Sequence, residues 1–291
     1  MRDFSNDHSW MSINTATVRK AQGKEVPLLD ILDACARHQI RAISPWRDQV
    51  AAAGLQAVSR AVRSHGLALS GYCRGGMFTA VDDEGLARAR DDNRRAVDEA
   101  CELNAACLVL VVGGLPGALE GKAGYHDLAH ARGQVTEGIG QLLEYARERK
   151  MPIAIEPLHP MYAADRACIN TLEQALDVCD LLDPAGTGDI GVAVDLYHVW
   201  WDPKLQAQIE RAGKRRLLAF HVCDWLTPTT DLLNDRGMMG DGVIEIPKVR
   251  AWVESQGFSG YSEVEIFSSR WWSRDTDDIL RTCVERHRTV V

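Results

Sequence analysis

Ile153-Ala-Ile-Glu-Pro-Leu-His-Pro160 is a short apolar run that ends on a carboxylate, Glu156, and is stopped at once by Pro157 and Pro160. It reads as a buried strand whose last residue is charged. Burying a lone carboxylate costs several kcal/mol, so such a residue calls for a cation or hydrogen-bond donors beside it. The same device recurs three times downstream. Gly191-Val-Ala-Val-Asp195 ends on Asp195, Leu217-Leu-Ala-Phe-His221 ends on His221, and Glu263-Val-Glu-Ile-Phe267 carries Glu265 between Val264 and Ile266. Four apolar strands thus deliver Glu156, Asp195, His221 and Glu265 at corresponding depths, a metal-ligand set dispersed over four elements.

Working outward, the rest of the chain alternates between strand and helix signals. Ser12–Val18, Ile40–Ser44, Leu67–Tyr72 and Cys107–Val112 read as strands. Pro27–His38, Gln56–Arg63, Ala87–Ala100, Val135–Arg149, Asn170–Leu182, Lys204–Gly213, Ile246–Ser255 and Asp277–Val290 read as helices. The loop Cys73-Arg-Gly-Gly-Met-Phe78 is expected to follow the third strand. Eight strand–helix units without a linker or a shift in composition predict an α/β protein, a single (β/α)8 TIM barrel over residues 1–291. A doubly wound sheet offers only one or two strand ends at its switch point, whereas a closed barrel brings every strand C-terminus to one face. The metal site is expected on that face.

Composition narrows the function. A hydrophobic share of 46% supplies a real core, and the net charge of −8 excludes a nucleic-acid surface, which needs clustered Lys and Arg. A small substrate, neutral or metal-bound, is expected instead. The eight cysteines follow no repeating framework and read as reduced, structural thiols. No apolar leader opens the chain and no run approaches a membrane span, so a cytoplasmic enzyme is expected, with assembly into a homo-oligomer left open.

Two Glu, one Asp and one His offer mostly hard oxygen donors and one imidazole, a set suited to one divalent metal, Mn2+ first, with Mg2+, Co2+ or Zn2+ as alternatives. Three carboxylates against a divalent cation leave the site near −1. A neutral hydroxy-carbonyl compound can chelate there. A glutamate that accepts its carbon-bound proton keeps the charge tolerable while the metal holds the developing oxyanion, which makes Glu156 and Glu265 the candidate catalytic bases. Glu263 falls on the same face as Glu265 by strict alternation; Glu265 is assigned because it lies deeper between apolar neighbours.

A lone strand-end carboxylate is more often a cap or a salt-bridge partner, and a lone His a core residue, but four coincidences on consecutive strands favour ligands. His198, three residues past Asp195, reads as a substrate contact, a residue orienting a ligand, or a loop residue; His159 carries the same alternatives. Arg236, in the Gly-rich stretch Asp231–Gly242, is either a fixed cation for a substrate oxygen or an arginine on a solvent loop. The aromatics Trp46, Phe78, Trp200, Trp201, Trp225, Trp271 and Trp272 stand at or just past strand ends and read as pocket walls, with Trp46 a candidate substrate contact.

At these residues the chain resembles the xylose isomerase-like barrel superfamily, sugar isomerases and epimerases that include inosose isomerase-like proteins, ketose 3-epimerases and hydroxypyruvate isomerases. The resemblance rests on Ile155-Glu-Pro-Leu-His-Pro160, Val194-Asp-Leu-Tyr-His198, Phe220-His-Val-Cys-Asp-Trp225, Arg236 with Gly240-Asp-Gly242, and Val264-Glu-Ile-Phe267. It implies metal binding by Glu156, Asp195, His221 and Glu265, proton exchange by the two glutamates, and substrate contact by His198 and Arg236. Ketose 3-epimerases carry a second glutamate six residues after the strand-five ligand; Tyr162 stands there in this chain, so their substrate recognition does not carry over. The expected activity is a metal-dependent isomerase or epimerase of a keto sugar or keto-polyol. The runner-up is a lyase or dehydratase acting on a keto sugar, keto-inositol or 3-keto glycoside with the same metal and base, and a metal-stabilised binding protein stands third. An apurinic endonuclease is excluded by its need for three metals and more His.

Overall fold

The computed structural model describes residues 1–291. Its main sheet contains nine parallel segments that make eight barrel strands. These are β1 (Met11–Asn14), β2 (Ala42–Ser44), β3 (Ala68–Leu69 and Tyr72–Gly76), β4 (Leu108–Val111), β5 (Ile153–Ile155), β6 (Ile190–Asp195), β7 (Leu217–Val222) and β8 (Ser262–Val264). The third strand is interrupted at Ser70-Gly71. Its first half pairs with β2 and its second with β4, so the two ends of the sheet meet within one strand and the barrel closes. The outer helices are α1 (Leu28–Arg37), α2 (Leu55–His65), α3 (Asp83–Glu102), α4 (Leu128–Glu148), α5 (Leu172–Leu182), α6 (Leu205–Arg216), α7 (Ile246–Ser255) and α8 (Thr276–Thr289). The chain is a single-domain (β/α)8 TIM barrel, as the alternation predicts.

Three local expectations are corrected. The first strand stops at Asn14, not Val18, because the Asn14 side chain accepts from Ala16 N and turns Thr15–Val18 into a 3-10 helix. Cys73–Gly76, expected as loop, is strand pairing with β4. The eighth strand ends at Val264, which leaves Glu265 just beyond its last residue.

Packing separates two cores. The large apolar cluster lies between sheet and helices, whereas the barrel lumen holds mostly small side chains, Cys73, Cys107, Val109, Ala154, Ala193 and Ala219. Small residues leave room in the lumen for the polar groups described below. All eight cysteines are unpaired, and no helix is long and apolar enough to cross a membrane.

The N-terminal segment is tied to α8 by the Phe4 ring stacked on His287, centroids 4.5 Å apart. His287 is buried with neither ring nitrogen partnered, and burial pushes its pKa down to about 3 from an ordinary 6.5. A histidine held neutral in the fold but free to protonate when unfolded supports stability above pH 6.5, and that support is lost as pH falls toward 3. Between pH 6.5 and pH 5 the loss is on the order of 2 kcal/mol. His287→Phe is expected to flatten the acid side of the stability curve by that amount in urea unfolding. An unchanged slope rules the effect out.

Candidate active site

Strand register builds the site. Asp195 at the end of β6 is level with His221 on β7, and His221 is level with Glu263 on β8. Glu156 follows the last residue of β5 and Glu265 lies two residues past Glu263, one layer nearer the C-terminal rim. The ligand atoms of Glu156, Asp195, His221 and Glu265 therefore all fall within 4.8 Å of one another. His221 Nδ1 lies 3.3 Å from both Glu156 Oε1 and Glu265 Oε2. Yet neither His221 nitrogen nor Glu156 Oε1 has a partner in hydrogen-bond geometry, although all three atoms are buried. Orphaned buried polar atoms are rare in folded proteins, and two of these, Glu156 Oε1 and His221 Nδ1, converge on one point. A divalent cation there would satisfy Glu156 Oε1 and His221 Nδ1 together, and the hard oxygen-rich donor set fits Mn2+, Mg2+, Co2+ or Zn2+.

The charges follow from neighbours. Burial lifts Glu156 to about 7. Glu265 is equally buried, but Arg236 and His221 outweigh that burial and hold its carboxyl below the usual range. His221 is held well above its ordinary value; burial works against this, and Glu263, Glu156 and Glu265 overcome it.

Glu263, set aside on the sequence, belongs to the layer beneath. Its carboxylate accepts from Asn14 Nδ2 at 2.8 Å and from the Ser70 hydroxyl at 2.7 Å, and Ser70 is hydrogen-bonded in turn to Ser12 at 2.6 Å. The other carboxylate contact is His221 Nε2, 3.5 Å from Oε1. Glu263 thus faces the nitrogen of His221 that points away from the cluster. Asn14 Oδ1 accepts from Trp46 Nε1 at 2.7 Å, which ties a wall of the cavity to the same network.

Arg236 is no solvent-loop residue: it is 4% exposed, and Nη1 donates to Asp195 Oδ2 at 3.0 Å and Glu265 Oε2 at 3.3 Å. Its backbone is held by the hairpin pairing of Asp224–Trp225 with Arg236–Gly237 and by Phe267 O. Asp224 orders the rest of this loop by accepting from Gly240, Gly242 and Ile244 N. Gly242 is required there, since a Cβ would sit 2.1 Å from Trp225 O. Arg236 also changes the charge count. Three ligand carboxylates against one guanidinium leave two negative charges, which a divalent cation cancels, so the loaded ligand set with Arg236 is neutral rather than near −1, with the Glu263 carboxylate one layer below.

His198 stands on the short helix Leu196–Val199 and is buried. The His159 N–H donates to its Nδ1 at 3.1 Å, and its Nε2 lies 3.2 Å from Arg236 Nη2 and 3.7 Å from Asp195 Oδ2. Burial lowers its pKa to about 3, so the ring is neutral. His198, Arg236, Trp46, Glu156 and Glu265 all line a cavity of about 160 Å³. His159 does not; its ring is stacked on Trp225 with centroids 5.0 Å apart.

Most of the aromatics expected in the walls pack elsewhere. Phe78 lies against Gly138 of α4, and Trp272 Nε1 donates to Ala16 O. Tyr162 lines the cavity, but its hydroxyl donates to Leu232 O, as does that of Tyr197, so the pair anchors the loop carrying Arg236. Arg74 and Arg166, which the sequence reading passed over, are both in the cavity wall. Arg74 sits in Cys73-Arg-Gly-Gly, and the mistaken loop assignment hid that it is a strand residue facing the site.

The sequence model of the family described as xylose isomerase-like TIM barrel matches residues 32–286. The inosose isomerase of Halalkalibacterium halodurans is 22% identical over 154 residues, and the match spans 52% of this chain and 52% of that protein, about half of each. A crystal structure of a protein from Sinorhizobium meliloti 1021 is 55% identical, with a TM-score of 0.90 over 97% of this chain and 98% of that one. The IOLI protein, solved with a zinc atom, is 16% identical, with a TM-score of 0.79 over 95% and 96%. At that identity the likeness speaks for the fold.

Proposed function

The chain belongs to the xylose isomerase-like TIM barrel family, and from that premise we propose that it is a divalent-metal-dependent isomerase or epimerase of a keto sugar or keto-polyol. The partial match to an inosose isomerase and the zinc of the IOLI protein support this reading. The observation that carries it is the convergence of four ligand-type side chains, two of them with unpartnered buried atoms, at the floor of a sugar-sized cavity.

Glu156, Asp195, His221 and Glu265 would hold one cation, with Mn2+ the leading candidate. When bound, it supplies a Lewis acid that polarises a substrate carbonyl. The remaining work falls to the chain. Glu156, with no fixed cation paired to it, takes the proton from the carbon next to the carbonyl and, in an isomerisation, returns it to the neighbouring carbon on the same face. In an epimerisation Glu265, on the opposite side and protonated at the start of that turnover, delivers the new proton while Glu156 keeps the one removed. His198 lines the cavity beside Arg236 and contacts the substrate. Closure of the floor by buried side chains keeps competing water from the reacting carbon.

Solvent-deuterium incorporation tests this directly. Keto sugars and keto-inositols incubated with the Mn2+-loaded protein in deuterium oxide are expected to exchange the hydrogen at the carbon beside the carbonyl without losing a group, as read by NMR. Loss of water or of an aglycone moves the assignment to a lyase. Absence of both across the panel overturns it.

A further inference from the structure

Once a divalent cation neutralises the floor, the walls of the cavity are not neutral. Arg74 and Arg166 line it, both half-buried, and neither makes an ion pair or a side-chain hydrogen bond. Outside the candidate metal ligands, the nearby carboxylates are already engaged: Asp48 by Arg19, and Asp92 with Glu99 by Arg47. Asp165, adjacent to Arg166 in sequence, makes no ion pair with it, and Arg166 Nε is buried without any partner. Burial pulls the Arg74 guanidinium below its usual range, and the charge of Arg166 adds to that lowering, partly offset by Cys73 and Glu156.

Two mutually repelling, partly desolvated guanidinium groups are unfavourable unless an anion joins them, and an arginine fork matches a carboxylate or phosphate better than any neutral hydroxyl. Resting on the isomerase reading above, we propose that Arg74 and Arg166 form an anion subsite, and that the substrate is a keto sugar whose end away from the carbonyl carries a carboxylate or phosphate. This revises the expectation of a neutral substrate. That expectation came from the net charge of the whole chain, −8, and from the charge count of the ligand set, and neither speaks to two residues in the cavity wall.

The test uses polyols that lack a carbonyl and so cannot turn over: D-glucitol, D-gluconate and D-glucitol 6-phosphate, titrated calorimetrically into the full-length Mn2+-loaded protein. One of the two anions is expected to bind at least about tenfold more tightly than D-glucitol, with the preference shrinking as salt is raised. Which anion is preferred distinguishes a sugar acid from a sugar phosphate. In Arg74→Gln and Arg166→Gln the preference should fall about tenfold while metal content and D-glucitol binding stay as in the wild type. Arg166→Lys, which keeps charge but loses the fork, should fall between and serves if a Gln variant misfolds. Equal binding of all three polyols overturns the subsite, as does an anion preference that persists in the double Gln variant, since the anion then binds the metal alone. Anion preference without solvent exchange on any keto sugar removes the isomerase reading and leaves the subsite; exchange on neutral keto sugars without anion preference does the reverse.

Discussion

Glu156→Gln should lower solvent exchange at the substrate carbon by about 10²–10⁴-fold while the metal stays bound. Glutamine keeps the size of the side chain and one oxygen donor but cannot accept a proton, so the substitution separates ligation from base catalysis. Glu265→Gln should also slow exchange, but less. Arg236 donates to both Asp195 and Glu265 and holds Glu265 as a carboxylate, whereas burial, with the charges of Glu265 and Asp195 adding to it and His221 opposing, lifts Glu156 to about 7. A base that must both take and release a proton near neutral pH is better served by the second environment. Metal content by elemental analysis and exchange by NMR, measured on the same samples, decide the matter. If both variants exchange at the wild-type rate with metal in place, the base is elsewhere and His198 becomes the first residue to examine.

His221→Ala should empty the metal site. The imidazole is the one nitrogen donor among four groups lying within 4.8 Å, and its removal leaves three carboxylates facing one another with Arg236 alone to balance them. Full metal occupancy in this variant would show the ligand set to be misassigned. A graded companion is Glu263→Gln. Glu263 faces His221 Nε2 at 3.5 Å, is fixed by Asn14 and Ser70, and orients the ring so that Nδ1 points into the cluster. Loss of such a carboxylate behind a ligating histidine typically weakens metal affinity by about 10–100-fold. The weakened affinity should appear in a metal titration followed calorimetrically, with the fold retained by circular dichroism. An unchanged metal affinity would reduce Glu263 to a lumen filler.

The barrel and the four clustered groups were legible in the sequence because their signals are local. An apolar run, a terminal charge and a proline or glycine stop are all read within eight residues, and the strand–helix alternation repeats that reading eight times. What the alternation could not assign was layer. Glu263 and Glu265 both point inward by the two-residue period of a strand, and only pairing of β8 with β1 and β7 puts the first beside Ser12, level with His221, and the second at the rim. Strand limits failed where a side chain intervened, as at Asn14, or where a strand is rich in glycine, as at Tyr72–Gly76.

Pairing of charges was equally beyond local reading. Arg236 meets Asp195 across 41 positions of sequence, which turns an apparent loop arginine into part of the floor and removes the excess negative charge. Trp46 and Phe78 look alike as aromatics past a strand end, yet one lines the cavity and the other packs on α4, since the direction of a side chain depends on which helix covers it. Arg74 and Arg166 are told from ordinary surface arginines by the absence of an ion-pair partner, and that is a property of everything folded around them. Residue type and period determined the fold and the identity of the candidate ligands; the three-dimensional arrangement decided which charges are cancelled and which are left over, because electrostatic energy depends on distance through space and not along the chain.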